Sequence, residues 1–408
     1  MNLTITNGQL ILPGQDAPVS GGIQADGDTI SAVGDITDIK DTVDAKGAII
    51  APGIIDLGVF AIDKPAFHFG GITRAALMPD QSPPLDYPAR VRFAAYSGKP
   101  DLWVHPLGAA TIGLNGSEMA EIALMQDAGA KAIGTGRTWI TDSGMMRRLM
   151  QYCAALNLAL VVHSEDSGLT GNAVATDGEM ATRLGLASAP AEAEAIAVAR
   201  DIELARMTGA KVHFRQVTTK AALEHVRRAK SDGLAITCGV TPAHLFLSDI
   251  AIGNFRTFAR LSPPLRSETD RQACLAAVAD GTIDVISSGH DPRGAEDKRL
   301  PFADAAPGMA GAESLLALSL GLVRDGCVSM GRLFDLLSAN PAKILGVSAG
   351  SLAKDIAADI ILFNADDPWQ IHSDKMLAHG GNTPFDGMPV QGKVTTVYKG
   401  GQQVYQDN

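Results

Sequence analysis

The 408-residue chain is poor in cysteine, in aromatic residues and in positive charge. Each shortage closes off a class of protein. Its four cysteines, Cys153, Cys238, Cys274 and Cys327, are far apart and form neither a CxxC pair nor a short disulfide framework, which points to a reducing compartment. Lys and Arg number 34 against 45 Asp and Glu, a formal net charge of -11. Nucleic acids and anionic membranes are met by basic patches, so neither is an expected partner. No apolar run approaches the roughly 20 residues of a membrane span. The opening Met1-Asn-Leu-Thr-Ile-Thr lacks the basic stretch of a secretory signal. A cytoplasmic protein is the expectation.

What is abundant is apolar and small. Hydrophobic residues make up 46% of the chain and glycine contributes 43 positions, a composition suited to a folded α/β protein. Residues 1–50 read as short strands between turns, and residues 350–408 have the same β character, with Gly400-Gly401 placed as a hairpin turn. The two ends are expected to join in one small β-sandwich. Between them, over residues 51–349, eight apolar runs alternate with helical patterns: Ile54–Phe60, Ile72–Met78, Leu102–Leu107, Ala130–Gly136, Ala159–Ser164, Lys211–Val217, Leu234–Thr241 and Ile283–Gly289. Eight βα units predict an α/β fold of the (β/α)8 TIM-barrel type, with chemistry sought at the C-terminal ends of the strands. Only Ala61–Gly71 joins the first run to the second, so the first βα unit is truncated.

Seven stretches in order carry a family likeness: Ala51-Pro-Gly-Ile-Ile-Asp-Leu57, Gly70-Gly-Ile-Thr running on to Met78-Pro-Asp-Gln-Ser-Pro-Pro84, Asp142-Ser-Gly-Met-Met-Arg-Arg148, Val162-His-Ser-Glu-Asp166, Pro263-Pro-Leu-Arg-Ser-Glu268, Asn340-Pro-Ala-Lys-Ile-Leu-Gly346 and Asn382-Thr-Pro-Phe385. Together they resemble the dihydroorotase branch of the amidohydrolase superfamily over nearly the whole chain. The resemblance implies a metal-activated hydroxide acting on a cyclic amide, with zinc as the usual metal. A catalytic zinc needs about three protein ligands and an open water position.

The positions that match the family's ligands lack most of those ligands. The first-strand His-x-His is Gly58-Val59-Phe60, and the fourth-strand carboxylate or carboxylated lysine falls in Gly134-Thr-Gly-Arg137. Lys131 lies three residues earlier, an odd offset that turns it from the lumen. His163 is retained on the fifth strand, but the sixth-strand position is Gln216 and the eighth-strand aspartate is Gly289. Asp291 is two residues on, roughly 6–7 Å along an extended chain. The matching substrate pocket has drifted as well. Asp80 and Ser262 replace asparagines, Arg293 replaces a histidine, and Pro307 and Gly308 complete the vestige, while the arginine expected after the first strand has no counterpart near Asp63-Lys-Pro.

One imidazole does not make a metal centre, so no cofactor and no working catalytic residue are expected. His163 reads as a vestigial barrel histidine, Glu165 and Asp166 as loop-shaping residues, and His105, His213, His244 and His290 as structural. Ser164, Thr218 and Thr219 lack the spacing of a nucleophile elbow, and the glycines Gly113, Gly116, Gly134 and Gly136 form no phosphate loop. The chain is most similar to the non-catalytic pseudo-dihydroorotases, which implies an oligomer with aspartate carbamoyltransferase as a structural or regulatory partner in pyrimidine synthesis. Two other readings compete. One is an active dihydroorotase or other cyclic amidohydrolase with a divergent metal site. The other is a small-molecule sensor receiving an anion at Arg137 and Arg293.

Overall fold

Strands that read as unbroken apolar runs are covered on both faces, and the barrel begins with two of them. In the computed structural model, which describes residues 2–36 and 42–407, every residue of the strands Ile54–Val59 and Ile72–Leu77 is buried, as parallel strands clad by helices require. Six more strands follow at Trp103–Ala109, Ala132–Gly134, Ala159–Val162, Lys211–Phe214, Ile236–Val240 and Val285–Ile286. Each pairs in parallel with its predecessor. The eight runs expected from sequence are the eight strands of a (β/α)8 barrel.

The seam between the first and eighth strands is closed by other means than a ladder. Phe60 N–H donates to the His290 carbonyl at 2.8 Å. Asp56 accepts from the Ser288 backbone N–H at 2.9 Å and also from the Ser288 hydroxyl. Its carboxyl is wholly buried, and burial pushes its pKa up against the opposing pull of the two Ser288 bonds.

Helix boundaries follow local chemistry. The helix Glu192–Thr208 ends at Gly209, whose φ of +66° is the left-handed cap that glycine permits. The helix Lys220–Ser231 starts at Thr219, whose hydroxyl accepts from Ala222 N–H at 3.4 Å. The first crossover is the short helix Lys64–Phe69. Six residues suffice because Phe67 is fully buried edge-on against the His290 ring, with centroids 5.1 Å apart.

Both chain ends build one hydrogen-bonded sheet. Its strands run in the order Gln402–Gln406, Pro389–Lys399, Ile360–Gln370, Ile49–Pro52, Asn2–Leu10, Val19–Asp26 and Thr29–Gly34, with Val43–Asp44 also on Asn2–Leu10. Gly400 and Gly401, at φ +54° and +71°, make the expected hairpin turn. The expected end domain includes residues 1, 37–41 and 408, which lie outside the described residues. A buried ion cluster fastens sheet to barrel: Asp359 receives Arg74 Nε at 2.6 Å and Lys399 Nζ at 2.7 Å. Burial alone would raise the Asp359 carboxyl, and the two cations hold it below its usual range instead.

Candidate functional site

The C-terminal ends of the first, fourth, sixth, seventh and eighth strands meet around Phe60, whose ring is approached by two guanidinium groups. Arg137 Cζ lies 3.5 Å and Arg215 Cζ 5.1 Å from the ring centroid. Cations on an aromatic face are attracted by its quadrupole, more so where water is excluded. Arg215 reaches the lumen by strand parity. Val212 and Phe214 pack outward with the helix layer, so His213 and Arg215 face inward. Its side chain is 3% exposed, and burial, with Arg137 nearby, pulls its pKa down to about 10. It remains a cation at neutral pH. Nη2 donates toward His163 Nδ1 at 3.4 Å, which places the imidazole proton on Nε2, 3.4 Å from Glu165.

The positions singled out from sequence do come together here, but as packing surfaces. Gly58 has φ +101°, and a Cβ there would stand 3.3 Å from Arg215 Cδ. A Cβ on Gly134 would press Pro79 at 3.0 Å, and one on Gly289, at φ +60°, would meet Thr241 Cγ2 at 3.0 Å. Gln216 is buried with its Oε1 unpartnered. Asp80 accepts from Arg137 N–H at 2.9 Å. Arg293 reaches Asp291 at 2.9 Å, which also takes Arg137 at 2.8 Å. Both arginines proposed as anion receivers are thereby tied to one carboxylate. Arg293 also donates to the Pro307 carbonyl at 3.0 Å, and Gly308, at φ +131°, lies where a Cβ would meet Asp291 at 2.5 Å. Ser262 lines the same space with Thr241 and Met309, and the cavity left among them is about 20 Å³. That is room for about one water molecule.

Around this plug runs a shell of buried charge. Arg266 pairs with Glu165 at 2.7 Å and Glu194 at 3.3 Å. Burial would push the Glu165 carboxyl up, but Arg266 and His163 outweigh it and hold it at about 2. Glu194 accepts from both backbone N–H groups of Thr218 and Thr219 at 2.8 Å and from their hydroxyls, which fixes those hydroxyls as structural donors. Asp166 caps the turn Ser167–Thr170 by accepting from Gly168 N–H at 2.8 Å. His244 bridges Thr241 Oγ1 at 2.8 Å and the Pro263 carbonyl at 3.2 Å. On the truncated side, Asp63 takes His290 Nε2 at 3.0 Å and is also contacted by His379. Burial pulls the His290 ring down to about 4, in keeping with its Nδ1 accepting from Ala312 N–H at 3.3 Å.

The donor set does not fit a catalytic zinc. Of the six matching positions only His163 offers a good ligand atom, and a neutral amide such as Gln216 is a poor one. The Arg215 guanidinium beside His163 adds a fixed positive charge that would repel a second cation in a low-dielectric lumen. Among the described residues no group of three or more His, Cys, Asp or Glu is placed to hold a metal ion. Sequence reasoning missed Arg215, although the parity of Lys211–Phe214 carries the signal. It also missed the Asp56–Ser288 seam and the Asp63–His290 pair, which join residues more than 220 positions apart.

A sequence profile described as dihydro-orotase-like matches residues 47–222. The dihydroorotase of Citrifermentans bemidjiense is 34% identical over an alignment covering 100% of both chains. That of Anaeromyxobacter dehalogenans is 36% identical over 90% of this chain and 88% of its own. Among solved structures, an L-hydantoinase (dihydropyrimidinase) from Arthrobacter aurescens superposes with a TM-score of 0.88 at 24% identity, covering 99% of this chain and 96% of that one. The dihydropyrimidinase of Brevibacillus agri gives 0.85 at 20%, covering 100% and 95%. These two likenesses speak for the fold. Full-length identity of this order with dihydroorotases, together with the profile, places the chain in the dihydroorotase-like family.

Proposed function

We propose that this chain is a non-catalytic member of its family, a pseudo-dihydroorotase that assembles with aspartate carbamoyltransferase and supports or regulates it in pyrimidine synthesis. The observation that carries the reading is the position of Arg215. A guanidinium fills the lumen beside the one retained histidine, with Phe60 stacked against it, where a working enzyme of this family needs ligands, metal and substrate space. The transferase enters from the resemblance to pseudo-dihydroorotases. A buried barrel with its end sheet intact suits a structural role.

Metal analysis of the purified protein, combined with a ring-opening assay on dihydroorotate, tests the first part. Substoichiometric zinc and no turnover are expected, and stoichiometric zinc with turnover overturns the reading. Size-exclusion chromatography with the aspartate carbamoyltransferase of the same organism tests the second. Co-elution at micromolar concentration is expected, and separate elution removes the transferase as partner.

A second reading, a cyclic amidohydrolase with a divergent site, is favoured by full-length identity to dihydroorotases of 34%. It requires ring opening in the same assay and predicts that a chelator abolishes it.

A further inference from the structure

The opposite end of the barrel holds more space than the end where chemistry was expected. A pocket of about 500 Å³ opens at the N-terminal ends of the fourth to seventh strands, within the size range of small-molecule sites. Lys131 immediately precedes the fourth strand, Lys211 begins the sixth, and Lys343 stands on the helix Asn340–Leu345 that plugs the barrel from below. Ala159, which begins the fifth strand, is in register with both Ala132 and Lys211, so Lys131 and Lys211 flank one strand, roughly 10 Å apart at the backbone.

Three features give this pocket a preference. The first is charge: its lining holds these three lysines and no Asp or Glu, in a chain whose net charge is -11. The lysine ion pairs among the described residues are those of Lys64, Lys230, Lys393 and Lys399, and Lys211 has only the Asn157 side chain, at 2.6 Å. The second is the apolar floor, where Leu158, Ile236 and Leu345 are buried. The third is His213, 1% exposed, whose Nδ1 lies 2.9 Å from Thr237 Oγ1 while its ring lines the pocket.

We propose that this pocket binds a small phosphate monoester carrying a flat or apolar body, its phosphate gripped by Lys131, Lys211 and Lys343 and its body laid on the Leu158–Ile236–Leu345 floor. Three ammonium groups act as point charges, and a phosphate monoester, carrying about −1.5 to −2 at neutral pH, draws on them more strongly than a singly charged carboxylate. His213 closes the inner wall beside that floor, its Nδ1 already paired with Thr237. The site stands independently of the transferase partnership, since it uses no residue of the barrel mouth.

Calorimetric titration of the full chain with AMP, adenosine and inorganic phosphate tests it. AMP is expected to bind, to bind more weakly at 500 mM than at 50 mM salt because exposed charges are screened, and to outbind both adenosine and phosphate. The triple variant Lys131→Gln, Lys211→Gln, Lys343→Gln is expected to weaken AMP at least about tenfold, while the pair Lys46→Gln, Lys375→Gln leaves it unchanged. The lysines are exposed, so folding is checked by an unaltered melting curve. Silence with AMP at millimolar concentration, equal affinity for phosphate alone, or an unaffected triple variant each overturns the proposal. If a polyglutamate peptide binds while AMP does not, the pocket receives an acidic protein segment and the small-molecule proposal falls.

Discussion

The two ends of one barrel have been treated in opposite ways. At the C-terminal mouth the side chains of Phe60, Arg137 and Arg215 fill the lumen until about 20 Å³ is left. Asp291 there is engaged by both Arg137 and Arg293 and Asp80 by the Arg137 backbone N–H, while Arg215 Nε stays buried without a hydrogen-bond partner among the described residues. At the N-terminal end about 500 Å³ stays open, lined by three lysines that form no ion pair among the described residues. The mouth has the character of a core, and the base has the character of a receptor. A barrel carries its stability in the strands and helices common to both ends, so filling one end does not require filling the other.

The contrast can be broken most forcefully at the mouth. Replacing Arg266 with Met leaves Glu165 and Glu194 buried without their shared cation, and removal of one partner from a buried pair costs about 3–5 kcal/mol. Urea unfolding should show an extrapolated unfolding free energy lowered by that amount. A loss below 1 kcal/mol would mean that water reaches the pair and that the mouth is not core-like.

Acid offers the next largest effect. Burial pulls the His213 pKa down to about 3, helped by Lys230 and Arg215, against an ordinary 6.5. A depressed folded pKa means the unfolded chain binds the extra proton between the two values. The stabilisation is therefore complete above pH 6.5 and drains as pH falls toward 3. The same direction holds for His244 and His290, both pulled to about 4. Going from pH 7 to 5 should weaken the protein, and His213→Gln should remove roughly 2 kcal/mol of that loss. Calorimetry at pH 5 in two buffers should show about one proton fewer taken up on unfolding. An unchanged proton count would place His213 in contact with solvent.

Gly289→Asp returns the family's aspartate to a backbone at φ +60° with Thr241 Cγ2 in its way. It should cost about 1–3 kcal/mol and, even combined with Gln216→His, yield no stoichiometric zinc by metal analysis. Tight zinc binding by that pair would undo the description of the mouth as closed. Smallest of all, each lysine at the base changed singly to Gln should move stability by less than about 0.5 kcal/mol, as read by thermal melting. A larger drop would make them structural.

Much of this was legible in the chain and some was not, for reasons that differ by distance. The eight strands announce themselves because each is a local run of apolar residues bounded by turn signals, and Gly209 and Thr219 mark helix ends by their own conformational preferences. The absent ligands at Gly58, Gly134 and Gly289 are visible because donor atoms belong to residue types. The contents of the vacated space are harder to read. Phe60 meets Arg137 and Arg215 across 77 and 155 positions of sequence, and no local pattern encodes which long side chain swings into a lumen. Asp359 joining Arg74 to Lys399 is equally remote. The pocket at the base could not be seen either, since Lys131, Lys211 and Lys343 share a neighbourhood only after the strands close.

Gly58 holds one last implication. Its backbone at φ +101° and the Arg215 side chain 3.3 Å from where a Cβ would stand bear on any metal ligand placed at this position. A histidine introduced there first would sit in a strained left-handed backbone and would press the arginine stem aside by a few tenths of an ångström. A ligand there is reached more easily once the arginine stem and the strand have moved. The glycine and the arginine are thus linked, and a metal ligand at this point of the barrel calls for change at both.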